Sequence, residues 1–365
     1  MARKAGPSPI DGLIIVDKPQ EWTSHDVVGK LRRIVGTRRV GHGGTLDPMA
    51  TGVLVCGVGK ATKLLGLIGA TDKSYDATIR LGIATTTDDA EGELTSAVDA
   101  GYLLESGQQQ IHEQVARLTG EIMQRPSSVS AIKVNGERAY KRVRAGEDVV
   151  LAERPVTITQ FEILATRIAS VDGPGGPTSA IDLDVAVTCS TGTYVRALAR
   201  DLGERLGVGG HLTMLRRTRV GVFDLSSART LEHLELELDY LPVADVCRRL
   251  FATHVVSDPE AVVFRHGGST DLLPELPVGE TIAVFAADDS VLGLAEAVVA
   301  GGGGSYLTGR DVASAMREGQ VRLDAQVAQL REDVRRIGDD QRAGLARLEQ
   351  RDAQLDDRLR LVERE

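Results

Sequence analysis

Residues Gly41 to Leu54 read GHGGTLDPMATGVL, a glycine-rich loop with one histidine and one aspartate that runs into an apolar strand, Val53 to Val58. The loop lacks the Gly-Lys-Ser/Thr ending of a phosphate-binding loop and the spacing of a dinucleotide fingerprint, so neither reading survives. On local grounds alone, Asp47 before Pro48 is as readily a turn cap as a reactive group. Outward from the loop, Gly12 to Asp17 (GLIIVD) reads as a buried strand stopped by Pro19. Thr23 and Ser24 then cap a helix carrying Val27, Val28, Leu31, Ile34 and Val35. Tyr75 to Leu81 alternates as a strand, Ile111 to Leu118 suits a helix, and Ile181, Leu183, Val185 and Val187 form a period-two face. Asp172 to Thr178 (DGPGGPT) reads as a surface turn between strands. Helices and strands are intermixed without a regular βαβ rhythm, which predicts an α+β fold around a mixed or antiparallel sheet.

The 365 residues are long enough for two globular units, and 42% hydrophobic residues fit a globular class. No apolar run approaches the length that spans a bilayer, and no apolar stretch follows the basic N-terminus, so the expected compartment is cytoplasmic. Cys56, Cys189 and Cys247 are widely spaced and form no CxxC pair, which predicts structural thiols and no metal. A net charge of -9 argues against a general polyanion binder, so any nucleic-acid site must be local. Three basic clusters could supply one: Arg32/Arg33/Arg38/Arg39, Arg138/Lys141/Arg142/Arg144 and Arg216/Arg217/Arg219. Taken singly, each is as well read as a solvated face.

From about Asp245 the pattern changes to short strands, including Thr281 to Phe285 and Val291 to Ala295. The expected organisation is a first domain over residues 1–240 and a small β-rich domain over 241–300, without a closing strand in its pattern. A GGGGS linker follows at 301–305. Residues 306–365 carry Leu323, Val327, Leu330, Val334 and Ile337 in alternating steps of four and three, which reads as an amphipathic helix or coiled coil able to self-associate.

The loop GHGGTLDPMATGVL resembles the signature loop of the TruB family of pseudouridine synthases. So, in the same order along the chain, do GLIIVDKPQEWTSHDVV (12–28), KSYDATIRLG (73–82), RPSSVSAIKVNGERAYKRVRAGE (125–147), CSTGTYVRALARDLG (189–203) and GGHLTMLRRTRVGVF (209–223). The resemblance spans residues 10–235 and implies an isomerase acting on the T-loop uridine of tRNA (position 55), without a cofactor. The 241–300 stretch is similar to the PUA-like accessory domain of actinobacterial members.

The implied chemistry breaks a glycosidic bond, turns the uracil and rejoins it through carbon 5. It needs one ionised carboxylate, acting as nucleophile or as a base at the sugar, and the residues do not choose between the two. By resemblance that group is Asp47. Burial would raise an aspartate's pKa and a nearby cation would lower it, so the site should supply an arginine; Arg196 matches the family's. Tyr75 matches the tyrosine that stacks on the target base, and His42 the histidine that fills the vacated space in the T loop. Leu215 aligns with an apolar pocket residue. Pro126, Lys133 and Tyr140 match the wall beneath the site, with Asn135-Gly136 as a hairpin turn and the T-arm stem-loop as RNA partner. A tRNA-folding chaperone in which modification is secondary, and a scaffold recruiting a partner through the tail, are the competing readings. The residues leave open which tRNAs are substrates.

Overall fold

The computed structural model describes residues 8–127, 133–134, 137–138, 151–173, 176–266, 269–271, 281–299 and 305–309. Two compact units divide at Thr253/His254.

The first unit is built on a ten-stranded sheet. Its strands are β1 (Gly12–Lys18), β2 (Val40–His42), β3 (Thr51–Val58), β4 (Lys73–Leu81), β5 (Gly120–Gln124), β6 (Arg154–Gly173), β7 (Gly176–Cys189), β8 (Gly210–Val220), β9 (Phe223–Asp224) and β10 (Leu241–Pro242). The order across the sheet is β10-β1-β3-β8-β4-β7-β6-β5, with β2 paired to β3 and β9 to β8. The β3–β8 pair is parallel, Arg216 opposite Thr51 and Arg217 opposite Gly52. The pairs flanking it, β1–β3 and β8–β4, are antiparallel. The sheet is therefore mixed, as the intermixed pattern predicts. The period-two face of β7 is buried, with Ile181, Leu183, Val185 and Val187 packed in one core cluster.

Helix α1 (Ser24–Val35) starts where its cap predicts: Thr23 and Asp26 form a reciprocal capping box, and Gly36 closes the helix in the left-handed region. Its apolar stripe, Val27, Val28, Leu31 and Val35, is buried against the sheet cluster. Helix α2 (Val195–Arg205) lays Leu198, Ala199 and Leu202 into the same cluster. At the start of β3, Gly52 has φ +97, and a Cβ there would lie 2.2 Å from the carbonyl oxygen of Arg217. Only glycine lets β3 and β8 approach this closely beneath the Gly41–Leu54 loop.

Two expected boundaries move. Leu241–Pro242 pairs with β1, the Val243 N–H donates to the Asp11 carbonyl at 3.1 Å, and Val246 and Cys247 are buried. The stretch 241–250 therefore belongs to the first unit, because its hydrogen bonds and apolar face are satisfied there, and the division falls at 253 rather than 240.

The second unit carries a five-stranded sheet and the capped helix Asp258–Arg265, whose Ala261 and Phe264 pack on Ile282 and Val284. Ser305–Gly309 is a strand between Val291–Val299 and Ser269–Asp271. It falls where the composition reads as linker and helix. The β-rich domain thus gains its closing strand after the glycine run, since Tyr306 and Leu307 suit a paired strand as well as a helix. Residues 310–365, with the heptad-like stripe, lie outside the described residues. Among the described residues no helix is long and apolar enough to cross a membrane.

Candidate active site

The Gly41–Leu54 loop is held from two sides. From α1, the Leu46 N–H donates to Ser24 Oγ (2.8 Å), and that hydroxyl donates back to the Leu46 carbonyl (3.1 Å). The Glu21 N–H donates to the Pro48 carbonyl at 2.9 Å. Lys18, fully buried, donates to the carbonyls of Trp22 (2.6 Å), Pro19 (2.9 Å) and Pro48 (3.3 Å). From below, the Arg217 guanidinium donates to the carbonyls of Val53 (2.7 Å), Gly44 (3.2 Å) and Thr45 (3.5 Å). Asp47 sits on this braced loop, and its main-chain carbonyl accepts from the Ala50 N–H at 3.1 Å.

The second residue of α2 completes the pair that the charge argument requires. Arg196 Nε lies 3.0 Å from Asp47 Oδ2, with the arginine side chain 5% exposed and the aspartate's 38%. The same guanidinium donates to the Thr87 carbonyl (2.9 Å) and lies 3.3 Å from Asp89 Oδ2. The buried guanidinium is thus flanked by two carboxylates and a carbonyl, while the half-open Asp47 faces the cavity.

That cavity, about 290 Å³, is lined by Asp47, Arg196, Tyr75, Leu215, Lys73 and Arg217 among others. Tyr75 stands opposite Arg217 in the β4–β8 pair, and Leu215 opposite Ala77 two residues along, so both side chains share one face. Burial pushes the Tyr75 phenol above its ordinary range, with the Arg217 charge opposing, so it is neutral at neutral pH. Lys73 donates to the carbonyls of Thr71 (2.6 Å) and Gly69 (2.9 Å), and burial, then Arg217, lowers its ammonium to about 8. At the rim, the Arg154 guanidinium lies 4.8 Å from the Tyr194 ring centroid.

Of the residues expected at the site, the cavity unites Asp47, Arg196, Tyr75 and Leu215. His42 stands outside its lining, at the end of β2, where its ring meets the edge of His25 at 5.5 Å. Burial lowers its imidazole pKa, and His25 adds to that. Lys133 is in a short strand, Lys133–Val134, paired with Glu137–Arg138. Its side chain and all of Tyr140 lie outside the described residues. Pro126 is buried but is not among the cavity-lining residues.

The arginines of the basic run 216–219 are engaged within the protein. Arg216 pairs with Asp17 through both nitrogens (3.0 and 2.7 Å), Arg217 is 1% exposed, and Arg219 bonds Ser74 and the Gly221 carbonyl. β8 is an interior strand, so its arginines are spent on neighbouring strands and the loop. Among the side chains that the sequence reading did not assign to the site are Arg217, hidden in a run of like residues, Asp89, one of several acids in TTTDDAEGE, and the lysines Lys18 and Lys73.

Lys18 yields a pH prediction. Burial lowers its ammonium to about 8 from an ordinary 10.5, with Asp47 pulling the other way. Between those values the unfolded chain holds a proton that the folded chain lacks. The stability cost of burying the charge is therefore present in full below about 8 and is relieved as pH rises through the window. The positive charge facing Asp47 is lost over the same rise. Single-turnover rates should fall on the alkaline side with an apparent pKa near 8; a rate flat from about pH 7 to 9 would show that the ammonium is unused.

Comparison with known proteins gives the family of the chain. A family model described as TruB family pseudouridylate synthase (N terminal domain) matches residues 32–195, and one described as tRNA pseudouridylate synthase B C-terminal domain matches residues 196–241. A protein of Arthrobacter sp. (strain FB24) named tRNA pseudouridine synthase B is 55% identical over 291 residues, 78% of this chain and 92% of the relative. One of the same name from Thermobifida fusca (strain YX) is 52% identical over 288 residues, 78% and 94% of the two chains. Among solved structures, an H/ACA RNP bound to a substrate RNA containing 2'-deoxyuridine matches with TM-score 0.56 and 21% identity, covering 85% of this chain and 91% of its own. A Cbf5-Nop10-Gar1 complex matches with TM-score 0.55 and 23% identity, covering 86% of each. At that identity the structures speak for the fold alone.

Proposed function

The chain belongs to the TruB family of pseudouridine synthases, and from that membership we propose that it isomerises uridine to pseudouridine in tRNA, at the T loop, with Asp47 as the reacting carboxylate. The observation that carries the assignment is the Asp47–Arg196 pair on the cavity wall, 3.0 Å across. The target nucleotide must leave its stack to reach this recess, at a cost of a few kcal/mol. Inside, the Asp47 carboxylate either attacks C1′ or removes the proton from C2′. In the first route an Asp47–C1′ ester bond forms as N1–C1′ breaks, and it is broken in turn when C5 attacks C1′; in the second, N1–C1′ breaks as C2′ loses its proton, and C2′ regains that proton as C5 bonds C1′. In both the uracil turns between the two steps, the C5 proton departs and N1 gains one. Arg196, 3.0 Å away, orients the carboxylate. Tyr75, neutral and beside Leu215, offers a face for the uracil and a hydroxyl near the departing proton. Mapping pseudouridine in tRNA from cells with and without the protein tests the assignment: loss at the T-loop position supports it, and unchanged tRNA refutes it.

RNA phosphates need exposed cations, which Arg38 and Arg39 supply beside the loop. The double variant Arg38→Glu/Arg39→Glu should weaken T-arm binding about tenfold at moderate salt and reduce the salt slope by about 0.7 per lost contact. An unchanged slope would move the phosphate track elsewhere, to the Arg138–Arg144 cluster.

The second unit is read as a PUA-like accessory domain, His42 as the residue that enters the T loop, and the cytoplasm as the compartment where the substrate is met. The stretch beyond the strand Ser305–Gly309, residues 310–365, is read as a self-associating segment. Because Ser305–Gly309 completes a sheet, a chain ending at Arg310 should keep its activity and lose any dimer in sedimentation, whereas one ending at Ala300 should lose stability as well. An unchanged monomer in both would remove the coiled-coil reading.

A further inference from the structure

The loop over residues 85–92 supplies two of the acceptors that hold Arg196. Its Thr87 carbonyl accepts from the guanidinium at 2.9 Å, and its Asp89 Oδ2 lies 3.3 Å away. Asp88 lies between these two residues in the chain, and Arg200 stands one turn along α2 from Arg196. We infer that Asp88 and Arg200 are positioning residues: their contact locks the loop to α2 and thereby sets where Arg196 meets Asp47. This rests on the reading that Asp47 reacts with a uridine of a tRNA T loop.

The backbone at Asp88 is the first observation. It adopts φ +60, a left-handed conformation that glycine reaches with less strain. The side chain turns that cost to use by reaching out of the loop. Asp88 Oδ2 accepts from Ser127 Oγ at 2.6 Å, just beyond β5, and from Arg200 Nη1 at 3.2 Å. Its main chain is anchored separately, since the Leu212 N–H on β8 donates to the Asp88 carbonyl at 3.0 Å. An aspartate at a position that suits glycine is therefore explained by its carboxylate.

Arg200 is aimed for this contact. Its Nε and Nη2 donate to Asp201 at 2.9 and 2.7 Å, and Nη2 also donates to the Arg125 carbonyl at 2.7 Å. Those bonds fix the guanidinium and turn Nη1 to Asp88. The pair is shielded, with side chains 19% and 14% exposed, so it holds its geometry better than a surface ion pair. Arg196 and Arg200 are four residues apart and share a face of α2, so successive turns of the helix grip successive aspartates. Within the loop, Thr85 Oγ1 donates to the Asp89 carbonyl (2.7 Å) and the Glu91 N–H to Asp89 Oδ1 (3.1 Å), which makes the loop one body. Were it attached to α2 through Arg196 alone, any movement would draw that guanidinium away from Asp47. The Asp88–Arg200 contact carries the attachment instead. A displacement of about 1 Å at a reacting group costs up to about 10²-fold in rate, so the placement matters.

Two substitutions at one position test this. Asp88→Gly suits the backbone and removes the carboxylate, whereas Asp88→Asn keeps an acceptor oxygen for Ser127 and Arg200. Single-turnover pseudouridine formation on a T-arm stem-loop, with full-length enzyme in varied excess, gives the saturating rate and the half-saturating concentration separately. Asp88→Gly should lower the saturating rate about thirtyfold, with half-saturation within about twofold of the wild type. Its thermal midpoint should stay within about 3 °C. Asp88→Asn should keep the rate within about threefold. In an Asp89→Asn background, where Arg196 has already lost one acceptor, Asp88→Gly should add less than about threefold. A wild-type rate for Asp88→Gly, an equal loss for Asp88→Asn, or the full loss repeated in the Asp89→Asn background overturns the inference and leaves the proposed function standing. So does a rate loss matched by weaker half-saturation or by a lower midpoint, which makes Asp88 a structural residue. A wild-type chain that forms no pseudouridine overturns both.

Discussion

Asp47→Asn is expected to reduce pseudouridine formation by at least about 10³-fold, equivalent to roughly 4 kcal/mol of barrier. The amide keeps the shape of the carboxylate but can neither attack C1′ nor take a proton from C2′, so both routes fail together. Stability should hardly change. The Asp47 side chain is 38% exposed, and Arg196 retains Asp89 and the Thr87 carbonyl as partners. Affinity for the T arm should also hold, since the substitution leaves the exposed cations Arg38 and Arg39 untouched. Single-turnover measurements with labelled RNA, alongside urea unfolding, separate these quantities. Activity within tenfold of the wild type would remove Asp47 from the mechanism.

Arg196→Ala should damage both activity and fold. The substitution leaves Asp89, 3% exposed, without its cation, and stranding a buried charge in this way costs about 3–5 kcal/mol. Activity should fall by about 10² or more, because Asp47 loses the group that orients it. The two effects can be separated. Adding Asp89→Asn removes the stranded charge, so the double variant should recover much of the lost stability while remaining inactive. A double variant that regains activity with its stability would reduce Arg196 to a structural role.

The parts of the molecule legible in the chain were those governed by neighbours a few residues away. Thr23 and Asp26 announce the start of α1 because a capping box closes within four residues. The alternation from Ile181 to Val187 announces β7 because a strand with one face in the core repeats every two residues. The Gly41–Leu54 loop was legible as a site through the family resemblance of its motif, and Asp47, Tyr75, Arg196 and Leu215 meet in one cavity. Less local features were misjudged. Arg217 reads like Arg216 and Arg219, and nothing in TTTDDAEGE distinguishes Asp89, which turns inward to Arg196, from Asp88, which pairs with Arg200.

Periodicity and caps determined by themselves where several of the helices and strands run, and the family resemblance of its motif singled out the Gly41–Leu54 loop. Only the tertiary structure decided which like charges are buried and where each unit closes. An ionic side chain can leave water only where its partners arrive from distant segments. Arg217 meets loop carbonyls about 170 residues away in sequence. Likewise Ser305–Gly309 is a strand because Val291–Val299 and Ser269–Asp271 offer it hydrogen bonds on both edges.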